Sequence, residues 1–318
     1  MNELERDLFA RSIRAALESG HRLALEDALD DTGWYEALTA EPRTAISILF
    51  ELQGESNAGP SLDAVMAWAL DPDDPAPAVV LPPLGRWDAP AERHGDQLVV
   101  AGMATERLGR AEIAQVGTWS GGRTEIHTIR TAQLEVRAIT GMDPVLGLLA
   151  VRGTVEVAPA PGREAGDAWN RSIAFGRLGL SHALVGAARR MLELARAHAI
   201  ERVQFGRSIS SFQAVRHRLS DSLVAIEAAE ASLAAAWDLG SGLSASVAKA
   251  VAGRSGRLVS RHAQQVLAGM GFTAEHPLHR FVRRTLTLDQ LLGAATSLTE
   301  SVGEQLLRSR TLPAGQPL

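Results

Sequence analysis

The sequence predicts a mainly α-helical chain with a small β domain in its middle. Alanine dominates an apolar content of 46% while aromatic residues make up only 4%, which suits packed helices better than a β-sandwich. Apolar residues recur at helical spacing over four long stretches of the second half. Between Val79 and Val157 that period gives way to short runs rich in Val, Ile and Thr, set between Gly, Asp and Pro. A chain of 318 residues is long enough to bury a full core in two domains or one large one.

Taken in order, residues 1–75 read as a helical domain. Leu4, Leu8, Phe9, Ile13 and Leu17 share one stripe and predict a first helix, and Leu23–Leu29 a short second one. Pro42 fits the first turn of a helix running through Leu52 and closed by Gly54. Ser61–Leu70 predicts another, with Ser61 as its cap. Asp71–Pro77 and Pro82-Pro83 are too proline-dense for regular structure and mark a boundary. Within residues 76–162, strands are predicted at Leu98–Val100, Ile126–Ile129, Leu134–Ile139 and Thr154–Val157, and Pro159–Gly162 ends the β domain. Residues 163–310 predict four long amphipathic helices with short links, read as an antiparallel bundle. Their stripes are Leu180–Ala195, then Val215, Leu219, Leu223, Ile226, Leu233 and Trp237, then Val247–Leu258. The fourth is Leu288, Leu291, Ala295, Leu298, Val302 and Leu306. Residues 311–318 form a polar tail.

A net charge of −5 leaves no basic footprint for nucleic acid. The absence of Cys excludes disulfides and thiolate chemistry. The amino terminus is amphipathic and acidic, without the apolar run of a signal peptide, and no segment reaches membrane-spanning length. A soluble, cytoplasmic protein is expected. Gly-rich nucleotide loops, HExxH and nucleophile elbows are missing, and His276 and His279 flank Pro277 without a metal-ligand pattern.

The stretch most suited to chemistry is Arg202–Asp221, RVQFGRSISSFQAVRHRLSD. Gly206 breaks the helical period there, and Ser210 and Ser211 can cap a new helix near Phe212. Arg202 supplies a planar fork of donors for phosphate oxygens, Phe205 a face to stack on a ring, and Gly206 room for close backbone approach. An ordinary helix-to-helix connection with one exposed Arg is the alternative reading of the same residues.

The pattern RxQFGxxIxxFQ in this stretch resembles a hallmark of the flavin-dependent acyl-CoA dehydrogenase family, where it opens a long helix of the C-terminal helical domain. Gln265–Arg284, QVLAGMGFTAEHPLHRFVRR, resembles that family's Q-x-x-G-G-x-G-F/Y-x-x-E-x-P-x-x-R-x-x-R segment. The two matches cover roughly the last half of the chain, and the first half matches loosely. The resemblance implies the family's order of domains: N-terminal helices, a middle β domain and a C-terminal four-helix bundle.

In that family flavin takes a hydride from the acyl β-carbon while a Glu carboxylate takes the α-proton. Counting from Arg283, Leu292 stands where one family position for that Glu falls, and Ala294 where a flavin-binding Thr falls. The other family position is Gly176, just before Arg177, which the resemblance makes a substrate-binding candidate. The family's flavin-ring and thioester loops are not found; Thr105-Glu106-Arg107 and Trp119-Ser120-Gly121 are faint echoes. By contrast Arg202, Gln204, Phe205, Gln265 and Gly269 match positions that reach across the family's dimer interface to a neighbour's flavin pyrophosphate and adenosine.

The resemblance therefore implies a base-less subunit of a heteromeric, FAD-dependent acyl-CoA dehydrogenase. A full-length homologous partner in an α2β2 tetramer would supply the catalytic Glu, and electron-transfer flavoprotein would accept the electrons. Such short subunits resemble those of actinobacterial steroid catabolism, which implies a bulky, steroid-derived acyl-CoA. Two alternatives stay open: a homomeric dehydrogenase with a displaced base, Asp289 or Asp167, and a scaffold without catalysis. Asp289 lies three residues before Leu292, so on one helix the two would share nearly the same face.

Overall fold

The computed structural model describes residues 3–18, 25, 29, 31–157 and 163–310. Most of the predicted second helix, the Pro159–Gly162 terminator and the polar tail lie outside these residues. Leading helices are α1 (Glu3–Glu18), α2 (Trp34–Ala40), α3 (Pro42–Ser56) and α4 (Leu62–Leu70). Pro42 occupies the first turn of α3, where a missing N–H costs nothing, and Asn57 ends it in the left-handed region. Ser61 does not cap α4 with its side chain. Its hydroxyl accepts from Gln53 Nε2 at 2.9 Å and its N–H donates to Gln53 Oε1 at 3.2 Å, so a buried amide holds the α3–α4 turn instead.

Strands β1 (Val79–Val80), β2 (Ala91–His94), β3 (Gln97–Ala104), β4 (Ile113–Ser120), β5 (Arg123–Arg130), β6 (Glu135–Ala138), β7 (Leu149–Glu156) and β8 (Arg163–Glu164) follow. They form one sheet in the order β6-β7-β3-β2-β4-β5-β8, with β1 paired in parallel to β4. Alternate residues Leu98, Val100, Ala114, Val116, Val151 and Val155 face its core. The sequence reading did not single out β4. Its Gly117 interrupts the β-branched run because Trp169 packs there: a Cβ on Gly117 would lie 2.7 Å from the indole.

The bundle is built on α5 (Gly166–Glu201), 36 residues and so about 54 Å long. Helices α6 (Gln213–Leu239), α7 (Gly242–Leu267) and α8 (Leu278–Gln290) complete it, and α9 (Ala295–Ser309) follows. Small residues let α3 lie backbone to backbone on α5: a Cβ on Gly54 would fall 2.1 Å from Ala183 O, and one on Gly186 2.3 Å from Glu51 O. Arg284, fully buried, ties the three parts together. It pairs with Asp143 from the β domain and donates to the carbonyls of Asn57, at 2.8 Å, and Ala58 at the end of α3.

Three expectations need correction. The fourth predicted helix is two, broken at residues 291–294, where Leu292 and Gly293 take positive φ of 55° and 104°. Ser210 and Ser211 do not cap α6; Phe212 stands at its N-cap with no side-chain bond, and the serines form a short 3₁₀ turn, in which Ser208 caps by accepting from the Ser210 N–H. Leu223 on α6, Leu4 and Leu8 on α1 and Val247 on α7 are exposed rather than part of the core stripes.

Candidate functional site

At the carboxyl end of α5 the chain turns through a tight hairpin, β9 (Val203–Gln204) to β10 (Arg207–Ser208). Phe205 and Gly206 form its two-residue loop, both with positive φ, 51° and 76°. Two-residue loops with both φ positive match the twist of the strands they join, but Asn-Gly is the usual filling. A phenylalanine there is a strained choice for a bulky L-residue. Its ring is 93% exposed and touches only Phe212, edge to face at 6.2 Å, while Arg207 stacks on Phe212 at 4.3 Å. Arg202, the residue after the last turn of α5, is exposed, and Gln204 bonds its own strand through Val203 O.

The second motif runs on from the end of α7. Gln265 and Gly269 are exposed, and a Cβ added to Gly269 would meet nothing within 4 Å, so the backbone there is open to approach. Ala268, at the first Gly position of the motif, holds φ 50°, ψ −133°, a conformation glycine adopts far more readily. The two motifs meet electrostatically: burial lowers the pKa of His198, helped by Arg202, and burial lowers that of His276, helped by His198. Apolar Ile200, Val203, Met270 and Phe272 stand half to three-quarters exposed between these groups. The end of the bundle thus presents the exposed Arg202 guanidinium beside apolar surface, which suits a phosphate joined to a ring.

The base positions look different. Gly176 lies deep in α5, and a Cβ on it would fall 2.6 Å from Leu292 Cδ1, 3.1 Å from Leu62 Cδ1 and 3.3 Å from Met66 Cγ. The two positions where the family places Glu therefore touch each other, and one apolar side chain fills the space between them. Leu292 is 2% exposed. Arg177 donates through Nε to Leu292 O at 3.0 Å and through Nη1 to Ser246 Oγ at 2.8 Å, and its guanidinium lies over Trp87 at 5.1 Å. Burial pushes its pKa down to about 10, against the field of Asp88. Arg177 thus serves as a strut for the break rather than as a group open to substrate.

Asp289 is wholly buried, with both oxygens engaged. Oδ2 pairs with Arg257, and Oδ1 accepts the Ala295 N–H at 3.1 Å, capping α9 from six residues back. Lys249, equally buried, donates to the carbonyls of Asp289 at 3.0 Å and Gly293 at 3.4 Å, and burial pulls its pKa down to about 8. Gly253 makes the carboxylate's place, since a Cβ there would lie 2.0 Å from Asp289 Oδ1. Sequence reading missed Lys249 and Arg257. Their signal is the spacing 249, 253, 257, which puts cation, gap and cation on one face of α7. Asp167, the other displaced-base candidate, sits exposed on the first turn of α5. Ala294 is buried at the N-cap of α9. Thr105 bonds Asp63 at 2.6 Å, and Trp119 is half exposed on β4, so neither echo of the flavin loops joins the others. Among the described residues there is no cluster of His, Cys, Asp and Glu that could hold a metal ion. No described helix is long and apolar enough to cross a membrane.

The acyl-CoA dehydrogenase C-terminal domain family matches residues 167–307. Acyl-CoA dehydrogenase IpdE2 of Mycolicibacterium smegmatis is 38% identical over 109 residues, 34% of this chain and 35% of that protein. IpdE2 of Mycobacterium tuberculosis is 38% identical over 108 residues, 34% of each. The chain thus matches about a third of the length of these curated relatives. In structure, the Tcur3481-Tcur3483 steroid ACAD superposes with a TM-score of 0.74 at 21% identity, covering 96% of both chains. Butyryl-CoA dehydrogenase from Megasphaera elsdenii gives 0.75 at 18% identity over 97% of this chain and 99% of that one. The second half of the chain thus carries an acyl-CoA dehydrogenase C-terminal domain, and solved acyl-CoA dehydrogenases share its fold along nearly its whole length.

Proposed function

We propose that this chain is the base-less subunit of a heteromeric FAD-dependent acyl-CoA dehydrogenase, working in the cytoplasm with a full-length homologue as an α2β2 tetramer. The observation that carries the reading is the pairing of a plugged base position with an open flavin-facing end: Leu292 packs on Gly176, while Phe205 stands 93% exposed. Exposed, strained and cationic, the Arg202 end fits the far end of a flavin held mainly by the partner. Arg202 would fork onto pyrophosphate oxygens, Phe205 would stack on the adenosine side, and Gln265 and the open backbone at Gly269 would close around it. The base pocket does not fit a substrate α-carbon, because no carboxylate faces it and apolar side chains fill it.

FAD, when bound, accepts a hydride from the acyl β-carbon. This chain's residues bind and orient its remote end, and the partner's Glu removes the α-proton. Electron-transfer flavoprotein is the expected acceptor. One structural relative is described as a steroid ACAD, which supports a bulky, ring-bearing acyl-CoA as substrate class. The displaced-base alternative loses ground at Asp289, whose oxygens are committed to Arg257 and Ala295.

Flavin content of the co-expressed tetramer tests the reading. Arg202→Ala removes a charge-assisted contact of about 1.5–3 kcal/mol, so flavin affinity falls roughly ten- to a hundredfold. Arg202→Lys recovers only part of it, since a point charge cannot reproduce the fork. Turnover per bound flavin stays near wild type. Equal flavin occupancy after dialysis in all three proteins would reduce the motif to a helix connection.

A further inference from the structure

A cavity of about 700 Å³ opens between the start of α3, the face of α5 that carries Ala174 and Leu178, and the turn from α6 to α7. Its size lies within the range of small-molecule sites. Residues 174 and 178 are each two positions from 176, or about 200° around the helix, so the cavity lies across α5 from Leu292 and Gly176. Nothing in the flavin reading uses it.

Phe175, Trp237, Leu178, Ala174 and Pro42 supply an apolar floor and wall. The aromatic part is continuous: Trp68 meets Phe175 edge to face at 5.1 Å, and Phe175 meets Trp237 at 5.8 Å. A half-buried polar chain, with His182 its one buried member, holds this wall from behind. The Trp237 indole N–H donates to His182 Nε2 at 3.1 Å, which leaves Nδ1 of His182 to donate to Glu51 Oε1 at 2.8 Å. Arg189 then bridges Glu51 at 3.3 Å to Glu230 at 2.7 Å. A network of that length, ending on one indole, fixes the ring's position before anything binds.

The rim decides the charge of the ligand. Two cations and two acids line it, and Arg43 is tied to Asp238 at 2.7 Å while Arg171 spends Nε on Ala69 O. With Asp238 counted beside Arg43, the charges of Arg43, Arg171, Glu41, Asp167 and Asp238 sum to −1, so an anionic ligand gains nothing over a neutral one that fills the apolar floor. Asn170 stands at the edge as a hydrogen-bonding group for a hydroxyl or carbonyl, while Ser241 is spent capping α7.

We propose that this cavity is a binding site for a neutral, rigid, ring-bearing apolar molecule, seated against Phe175 and Trp237. The chain, alone or in its complex, is titrated with 1-aminoanthracene, an uncharged three-ring fluorophore. One saturable site per chain is expected, with at least tenfold weaker binding to Ala174→Phe, which fills the floor, and to anthracene-2-carboxylate as the charged counterpart. His182→Phe, which frees Trp237 from its anchor, weakens binding several-fold with flavin content unchanged. Should Ala174→Phe not fold, Ala174→Leu takes its place. No saturable binding to wild type, unchanged affinity in a folded position-174 variant, or equal affinity for the carboxylate would overturn the proposal.

Discussion

At the carboxyl end of α5, Phe205 holds a left-handed backbone and points its ring into solvent; about 39 Å back along the same helix, Gly176 is covered by Leu292. One region is open and strained while the other is closed and packed. Under the proposed reading, decay by random substitution would loosen both; instead the base position is core, with Arg177, Lys249 and Arg257 tying down the carbonyls and carboxylate of the break. The Arg202 end remains unburied by its own chain, as the proposed reading requires of a surface whose ligand belongs to another subunit.

The sharpest way to break this contrast is to empty the closed region. Leu292→Ala removes a buried side chain packed against Gly176, and should cost roughly 2–5 kcal/mol in chemical unfolding. A change below half a kcal/mol would mean the space is not packed core. Next comes pH. Lys249 is held near pKa 8 in the fold against 10.5 for the free side chain, so between these values the unfolded chain binds the extra proton. Stability should therefore rise with pH across that window, by about 3 kcal/mol at most, as the buried ammonium sheds its charge beside Arg177, Arg257 and Asp289. Lys249→Met should flatten that part of the profile, and identical profiles would show the group is not buried as described. The smallest effect lies at the open end. Phe205→Asn relieves a bulky residue from positive φ and should raise stability by about 1 kcal/mol while lowering flavin retention in the tetramer. Lower stability would mean the ring packs within its own chain.

Much of the fold was legible because its signals are periodic. The stripes of α1, α5, α6 and α7 and the change to short β runs needed only spacing, and the proline-dense linker stood out by composition. The break at 291–294 was not legible, because Leu288, Leu291, Ala295 and Leu298 keep a helical period straight across it. What stops the helix is tertiary: Asp289 caps the next one, and two cations from other helices, Arg177 and Lys249, hold carbonyls that a continuous helix would have used. Of the site, the identity of the motif residues was readable but their exposure was not. Nor could spacing show that positions 176 and 292, 116 residues apart, occupy a single space.

That shared space bears on the history of the chain. A carboxylate at 292 would have to enter a buried apolar space, and a carboxylate at 176 would drive its Cβ into Leu292. Asp289 cannot stand in without uncapping α9 and stranding Arg257. Under the proposed reading, the absence of a base is thus held by a ratchet of steric and ionic contacts, each harmless to keep and costly to reverse alone. On that reading, a lineage past that point evolves around its partner's chemistry and not back toward its own.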